Sequence, residues 1–343
     1  MQVAFFPNHW RGNPYLGLLE AALAEKGIEV HPDRTVDRPF IWWLKKHRTR
    51  IRVLHFHWLH YIYQRESLSN SLIQLIKFVV QLTYAKWLGY RIVWTMHNLY
   101  PHTRPYPALD RWARKIILRY SDAVLVHCEH ARDLLAENFG RSERVYLAPH
   151  GHFVGSYPCE VTREDARNHL GLADDRLVYL YLGQIRPYKG LERMVDAFHE
   201  IADPDSFLII AGSLDPGASL DESLAQPGER VLLKVGWIPG DEMQYYFRAA
   251  DVVVCPFENI LTSGSVILAM SFGRPVIAPR MGCLPELVLP DAGILYDPGR
   301  ADGLTDAMRR CSRLNLDAMG RRASQAVESF SWSNMAEVTS AAY

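Results

Sequence analysis

Leu177-Val-Tyr-Leu-Tyr-Leu-Gly-Gln-Ile-Arg-Pro-Tyr-Lys-Gly190 is the stretch of sequence that decides the fold. Its apolar first half predicts a strand that ends at Gly183. A short loop follows, and Leu191 to Ala202 has the pattern and length of an amphipathic helix. Strand, glycine-bounded loop and helix together form the repeating unit of a doubly wound parallel sheet.

The same alternation of short apolar runs and helix-length segments extends along the whole chain, which predicts an α/β fold. The predicted strands lie at 3–6, 53–57, 92–97, 123–128, 145–148, 177–182, 207–211, 231–235, 252–256, 275–278 and 293–296. Gly151 to Asp165 lacks any sustained period and is interpreted as a linker. We therefore expect two Rossmann-like domains, 1–155 and 166–328, that face each other across a cleft, and a final helix at 329–343 that returns to the first domain.

Composition narrows the class of protein. The 343 residues include 38 basic and 38 acidic side chains, so the balance of charge does not indicate a nucleic-acid partner. Five cysteines, an odd number with no C-x-x-C pair, favour a reducing compartment. The N-terminus enters a strand directly and does not resemble a signal peptide, so we expect a cytoplasmic protein.

Arg186 and Lys189 are predicted to bind phosphate. They follow a strand of the second domain, and ligands of doubly wound sheets bind at the carboxyl ends of strands. A guanidinium makes forked contacts to phosphate, and an ammonium adds a compact charge. The alternative is a basic loop that only contacts solvent.

A second anion site is predicted at Leu261-Thr-Ser-Gly-Ser-Val266, which opens a helix. Free N–H groups at a helix N-terminus bind anions, and small side chains allow a phosphate to approach them. The residues predicted to contact the anion are Thr262, Ser263, Gly264 and Ser265. The alternative is an ordinary Ser or Thr cap without a ligand.

Histidines are frequent near the predicted strand ends of the first domain. His97 follows one strand, and His55, His57 and His60 form an H-x-H-x-x-H array, with His150 and His152 further along. Zinc is one hypothesis, although no cysteine or carboxylate cluster completes a metal site. A second hypothesis is that His57, His150 or His152 faces a substrate that accepts a transferred group. A third is that these histidines only serve packing.

Several motifs together resemble the GT-B glycosyltransferases of family 4. They are Gly183-Gln-Ile-Arg-Pro-Tyr-Lys-Gly190, Val235-Gly-Trp-Ile-Pro239, Ala250-Asp-Val-Val-Val-Cys-Pro256 and Ala269-Met-Ser-Phe-Gly-Arg-Pro-Val276, with looser matches at Thr95-Met-His97 and Phe330-Ser-Trp332. The resemblance implies the GT-B fold and transfer of a sugar from a nucleoside diphosphate.

The resemblance also implies roles for single residues. Arg186 and Lys189 would bind the donor diphosphate, and Trp237 and Ile238 would lie at the nucleobase. Glu258 and His97 would contact the donor sugar, and Gly183 would line the same site. These roles make His97, Glu258, Arg186 and Lys189 the predicted catalytic residues. For Trp237 the alternative is a core position, and for Glu258 a surface carboxylate.

One departure from the family concerns its second glutamate. Leu268 occupies that place, and the spacing from Glu258 to Leu268 is two residues longer than the family's. The paired-glutamate motif is therefore incomplete. This leaves ribose recognition and the stereochemistry of transfer open.

Two segments bear on membranes. Residues 39–52 interleave aromatic and basic side chains, which is typical of a helix in a lipid headgroup layer; the alternative is a solvated basic helix with its tryptophans in the core. Residues 71–90 are apolar but interrupted by Gln74, Lys77, Gln81 and Lys86, which favours a buried core helix over a membrane span.

The sequence thus predicts a hexosyltransferase that moves a sugar from a nucleotide sugar to a glycan or lipid-linked acceptor at the inner membrane face. No cofactor and no metal are expected, because the D-x-D sequence Asp203-Pro-Asp205 lies in the turn before a strand. Two alternatives are a nucleotide-sugar epimerase and a non-catalytic nucleotide-sugar-binding protein.

Overall fold

The structure is a computed structural model that describes residues 1–7, 13–32, 38–101, 105–173, 175–215, 219–220, 222–226 and 228–343. These residues form two compact units. The first comprises Met1–Gly151 together with Phe330–Tyr343, and the second comprises His152–Ser329. The chain therefore passes into the second unit at Gly151, a few residues before the sequence-based boundary at 155.

The strands are β1 (Gln2–Phe6), β2 (Glu29–Val30), β3 (Ile51–Phe56), β4 (Arg91–Thr95), β5 (Ala123–Val126), β6 (Val145–Leu147), β7 (Leu177–Leu182), β8 (Ser206–Gly212), β9 (Val231–Val235), β10 (Val252–Val254), β11 (Val276–Pro279) and β12 (Gly293–Tyr296). The helices are α1 (Tyr15–Glu25), α2 (Ile41–His47), α3 (His60–Tyr63), α4 (Leu68–Trp87), α5 (Pro107–Tyr120), α6 (Glu129–Phe139), α7 (Arg163–Leu170), α8 (Leu191–Ile201), α9 (Glu222–Ala225), α10 (Met243–Ala249), α11 (Gly264–Ser271), α12 (Leu284–Leu287), α13 (Gly303–Arg310), α14 (Leu316–Glu328) and α15 (Trp332–Ala342).

In the described part of the first unit, six strands form a parallel sheet in the order β2-β1-β3-β4-β5-β6. The direction in which strands are added reverses between β1 and β3. In doubly wound sheets such a switch point opens a crevice at the carboxyl ends of the two strands. The last helix, α15, packs on α1, and its Met335 and Ala336 lie in this unit's core.

The second unit has a parallel sheet in the order β12-β11-β10-β7-β8-β9, as far as the structure describes it. This is the arrangement of a dinucleotide-binding fold, with the switch point between β7 and β10. The loop that begins at Gly183 and the loop that begins after Val254 therefore emerge side by side. The predicted fold class, two doubly wound parallel sheets, is confirmed.

A buried ion pair fixes the start of the second unit. Arg167 on α7 is fully buried; its Nη2 lies 3.0 Å from Asp251 Oδ2, and its Nε donates to the carbonyl of Ala249 at 3.1 Å. Asp251 Oδ2 also accepts the backbone N–H of Val178 at 2.7 Å. The pair thus joins α7 to the beginnings of β7 and β10.

One expectation about the first unit was wrong, and another holds for only one side of a helix. The basic segment 39–52 is not one helix, because α2 ends at His47 and β3 begins at Ile51. Trp43 and Leu44 are buried in the core, whereas Trp42 is exposed. The helix expected to be buried at 71–90 is α4, and one side of it is exposed. No helix among the described residues is both long and apolar enough to span a membrane.

Candidate functional site

The loops after β7 and β10 are held together by their backbones. Gly190 adopts a φ of +67°, and a Cβ at that position would lie 2.3 Å from the carbonyl oxygen of Pro256. The N–H of Glu258 donates to the carbonyl of Tyr188 at 3.0 Å. Only glycine permits both this conformation and this approach, so Gly190 brings the basic loop against the end of β10.

Arg186, the first predicted phosphate ligand, is paired within the protein. Its Nη2 lies 2.9 Å from Asp215 Oδ1, and both side chains are partly exposed. Its Nε is buried and has no hydrogen-bond partner among the described residues. The guanidinium therefore has donors left for an anion even while Asp215 is bound.

Lys189, the second predicted ligand, rests on aromatic rings. Its Nζ lies 4.4 Å from the ring centre of Phe257 and 5.2 Å from that of Tyr188. Within the described residues it forms no ion pair with a carboxylate. Burial, with a smaller contribution from Arg186, lowers the pKa of Lys189 from 10.5 to about 8. The ammonium remains charged at neutral pH and is held by ring faces that do not neutralise it.

The N-terminus of α11 lies near the same loop, because a Cβ built on Gly183 would be 3.7 Å from Ser265 Oγ. Ser263 is buried and acts as the helix cap, accepting the N–H of Val266 at 3.3 Å. Since the first N–H groups of a helix have no partner within it, those of Gly264 and Ser265 are left for an anion. Thr262 is partly exposed beside them.

The predicted sugar- and base-binding residues differ in exposure. Trp237 is 62% exposed, so the core interpretation of this side chain is wrong, whereas Ile238 is buried. Glu258 is exposed at the end of the β10 loop. Leu268, which replaces the family's second glutamate, is partly buried on α11. An exposed indole is suited to stacking on a planar base.

In the first unit, four successive strands each lead into a histidine. His57, His97, His127 and His150 follow β3, β4, β5 and β6, and all four are buried. His57, His97 and His150 were predicted from the sequence and His127 was not, although His127 directly follows β5 as His57 directly follows β3. Recurrence of histidine at strand ends is the signal that identifies it.

Three of these histidines form a hydrogen-bonded chain. His57 Nδ1 lies 3.2 Å from His97 Nε2, and His97 Nδ1 lies 3.3 Å from His127 Nε2. His127 Nδ1 lies 2.8 Å from the carbonyl oxygen of Ala148. We call His57, His97 and His127 the histidine chain. Both ring nitrogens of His97 are thus engaged by neighbours, so a contact between His97 and a sugar requires one of these bonds to open.

Burial keeps the cluster neutral. Desolvation lowers the pKa of His57 and of His97 well below 6.5, and nearby histidines lower both further. Burial lowers the pKa of His127 to about 4 and that of His150 to about 3. At neutral pH each ring therefore carries a single proton and has one nitrogen that can accept.

The remaining candidates are outside the hydrogen-bonded chain, although the ring of His55 stacks on that of His57 with 4.3 Å between their centres. His55 bonds to Tyr343 and Thr95, each at 2.7 Å, and His152 belongs to the second unit, where its Nδ1 accepts the N–H of Val154. No group of three His, Cys, Asp or Glu side chains in the described ranges is arranged to hold a metal ion. The Asp203-Pro-Asp205 turn precedes β8, at the amino ends of the strands. The predicted phosphate ligands lie at the opposite, carboxyl ends.

Comparison with known proteins agrees with this geometry. Residues 176–313 match the family model "Glycosyl transferases group 1". A GDP-mannose:glycolipid 4-beta-D-mannosyltransferase of Xanthomonas campestris is 28% identical to this chain. The alignment covers 88% of this chain and 81% of the length of that protein. Among solved structures, a sucrose-phosphate synthase from Thermosynechococcus elongatus has a TM-score of 0.78 at 21% identity, covering 99% of this chain and 98% of its own. The Anabaena protein HepE, solved with UDP, has a TM-score of 0.76 at 18% identity over 99% of both chains.

The family match covers the second unit's sheet from β7 to α13, where both predicted phosphate ligands lie. The structural matches extend over both units. Residues 176–313 thus match the group 1 glycosyltransferases, and the two units of this chain have the GT-B fold.

Proposed function

We propose that this enzyme transfers a hexose from a nucleoside diphosphate sugar to a glycolipid or other glycan acceptor, without a metal ion. The observation that carries the proposal is the phosphate site of the second unit. There Arg186, Lys189 and the first N–H groups of α11 meet at the switch point of β7 and β10.

This set of groups suits the charge that develops during transfer. As the bond from the anomeric carbon to the diphosphate breaks, its electron pair stays on the diphosphate oxygen. Two cations and a helix N-terminus stabilise that negative charge, which is the task a divalent metal performs in other sites. Each contact between a charged donor and phosphate contributes about 1.5–3 kcal/mol.

Two donors are suggested by the relatives. The Xanthomonas relative is named for GDP-mannose, and HepE has been solved with UDP-glucose. An exposed indole such as Trp237 stacks on either base, so it supports a nucleotide donor without choosing between guanine and uracil.

The acceptor is proposed to be lipid-linked because of an apolar surface on the first unit. Exposed side chains along α4, with two from the adjoining α2, form what we call the α4 face: Ile41, Trp42, Leu68, Leu72, Ile73, Ile76, Val80 and Trp87. Between residues 41 and 87 the basic residues are Lys45, Lys46, Arg48, Arg50, Arg52, Arg65, Lys77 and Lys86, against one acidic residue, Glu66. Lys86 is paired with Asp122, and the other basic residues are close in sequence to the α4 face. An apolar face in a mostly basic segment fits an anionic membrane surface.

Transfer is tested with purified enzyme, GDP-mannose or UDP-glucose, and a glycolipid acceptor in detergent, with product analysed by mass spectrometry. Arg186→Ala and Lys189→Ala are each expected to lower kcat about a hundredfold, as loss of one charge-stabilising donor does elsewhere. Transfer at the wild-type rate by both variants would refute the phosphate site. Donor conversion that needs no acceptor would indicate an epimerase instead.

Membrane contact is tested by co-sedimentation with vesicles of phosphatidylglycerol and phosphatidylcholine. We expect binding to the anionic vesicles, and we expect Ile76→Glu to weaken it. Leu314→Glu, at an exposed apolar residue of the second unit, is the matched control and should leave binding unchanged. Equal binding by both variants would remove the α4 face from the proposal.

A further inference from the structure

We propose that the first unit contains a pH-sensitive switch, in which mild acid opens the core of this unit while the second unit stays folded. The switch consists of five side chains that we call the buried histidines: His55, His57, His97, His127 and His150. The inference goes beyond the proposed function and does not depend on the donor or the acceptor.

The buried histidines lie together at the carboxyl ends of β3 to β6. Each of them is at most 8% exposed. Neighbouring rings are in contact, with 4.3 Å between the centres of His55 and His57, 5.0 Å between His97 and His127, and 5.5 Å between His127 and His150. In the described part of the second unit, no histidine is buried. Any effect of protonating buried histidines therefore falls on the first unit.

The hydrogen bonds of the histidine chain leave no favourable place for an added proton. The carbonyl of Ala148 only accepts, so His127 Nδ1 carries the hydrogen of the 2.8 Å contact. Neutral His127 then accepts from His97 Nδ1 at 3.3 Å, and His97 Nε2 accepts from His57 Nδ1 at 3.2 Å. A proton added to His127 or His97 would set two N–H groups against each other. A proton added to His57 Nε2 would be a buried donor that meets no acceptor among the described residues.

The groups that face the buried histidines do not compensate a positive charge. The titratable and charged side chains around them are Tyr15 on α1, His60 on α3, Arg114 on α5 and Tyr343 after α15. None of these four is a carboxylate, and Arg114 is itself a cation. Asp110 on α5 is also buried, but its Oδ1 accepts hydrogen bonds from Tyr63 and Gln64. An imidazolium formed here is therefore desolvated without gaining an ion pair from these groups.

Burial accordingly keeps the folded rings neutral. It lowers the pKa of His127 to about 4 and the pKa of His55 and of His150 to about 3. It also lowers the pKa of His57 and of His97 well below 6.5. A histidine in an unfolded chain has a pKa of about 6.5. The stability of the first unit is thus fully present above pH 6.5 and is lost as pH falls from 6.5 towards 4.

Five such groups act together. At pH 5.5 each histidine holds about 0.9 proton in the opened unit and almost none in the folded unit, so opening takes up about 4.5 protons. Between pH 7 and pH 5.5 the equilibrium constant for opening rises about eightfold for each group, and about 4 × 10⁴-fold for five. At about 1.4 kcal/mol for each factor of ten, this change is about 6 kcal/mol. A domain is stabilised by about 5–15 kcal/mol, so the change is large enough to open it.

The second unit can remain folded under these conditions. Each unit has a core cluster made only of its own residues, so the core of one does not require the other. Carboxylates do not change charge in this range, because their pKa in an unfolded chain is about 4. The second unit should therefore keep its stability down to a lower pH than the first.

A first experiment compares the two units within the full chain. Hydrogen exchange is followed by mass spectrometry at pH 7 and pH 5.5, with rates corrected for the pH dependence of intrinsic exchange. The slowest amides of β3 to β5 should lose protection by about 10⁴-fold, those of β7, β8 and β10 by less than about tenfold, and protection should return at pH 7. Undiminished protection of β3 to β5 at pH 5.5, equal loss in both units, or a loss that pH 7 does not reverse would overturn the proposal.

A second experiment counts the protons. Eight of the nine tryptophans lie within residues 1–151 and 330–343, so intrinsic fluorescence during urea titration reports the first unit. The slope of the unfolding free energy against pH gives the number of protons taken up, which should be about 4–5 for the wild type at pH 5.5. His55→Gln should take up about one proton fewer, and His150→Gln gives the same test if the first variant does not fold.

His130→Gln is the matched control, because His130 is exposed on α6 and its loss should leave the proton count of the wild type unchanged. Uptake of one proton or fewer by the wild type would overturn the proposal. The same uptake in the wild type and in the folded variant at a buried histidine would overturn it as well. A reduction in that variant together with an unchanged count in His130→Gln supports it.

Discussion

Binding of a nucleoside diphosphate should draw a proton onto Lys189. The pKa of this ammonium is lowered to about 8 by burial, so the free enzyme loses the charge as pH rises through 8. A bound diphosphate favours the charged form and raises the pKa again. At pH 8 about half of the molecules must then take up a proton on binding, against about a tenth at pH 7.

The same values set the change in affinity. If the complex keeps Lys189 charged up to pH 9, the dissociation constant of the nucleotide should rise about tenfold between pH 7 and pH 9, which is about 1.4 kcal/mol. The assay is isothermal titration calorimetry with GDP or UDP in buffers of different ionisation enthalpy. The slope of observed enthalpy against buffer enthalpy gives the number of protons taken up.

Lys189→Arg is the matched control, because a guanidinium does not titrate in this range. Its complex should take up no proton at this position, and any titration of the phosphate itself is common to both proteins. Lys189→Met should bind weakly at every pH. Equal proton uptake by wild type and Lys189→Arg at pH 8 would refute the assignment of Lys189 to the diphosphate.

Three further predictions concern single side chains. Trp237→Ala should weaken nucleotide binding by about 1–3 kcal/mol, as loss of a stacking partner does. Its Tm should not change, because the indole is exposed. Unchanged nucleotide affinity would show that Trp237 does not contact the base. Arg167→Met should cost about 1.5–3 kcal/mol of stability by removing the buried partner of Asp251, which still contacts Arg163, while turnover per folded molecule stays the same, as thermal melts and active-site titration would show. A Cβ at Gly190 would lie 2.3 Å from a carbonyl oxygen, so Gly190→Ala should reduce both Tm and nucleotide affinity; Gly140→Ala, at a similar φ with open space around it, should reduce Tm alone.

The sequence was most informative about strands. All eleven predicted strands are present, because each buried parallel strand is a continuous apolar run that can be recognised locally. The missing one, β2, has only Glu29 and Val30 and exists through its pairing with β1. Such a strand has no periodicity of its own to detect.

Exposure and partners were harder to predict. The apolar residues of α4 suggested a buried helix, yet composition alone does not tell which faces neighbouring elements cover. Ser263 was predicted to contact a ligand, and the structure uses it first as a cap. The histidine chain from His57 to His127 brings together residues from three strand ends. It ends at the carbonyl oxygen of Ala148, which no sequence motif marks.

In the proposed donor site, Asp215 would compete weakly with the nucleotide for Arg186. Its carboxylate accepts from one nitrogen of the Arg186 guanidinium, so a phosphate that approaches this nitrogen competes with Asp215, whereas the buried Nε stays available. A partly exposed pair of this type is worth about 0.2–1 kcal/mol, enough to weaken nucleotide binding by about 1.4- to 5-fold. The spent nucleoside diphosphate has a free terminal phosphate and so carries more negative charge than the donor, and competition from Asp215 would favour its release.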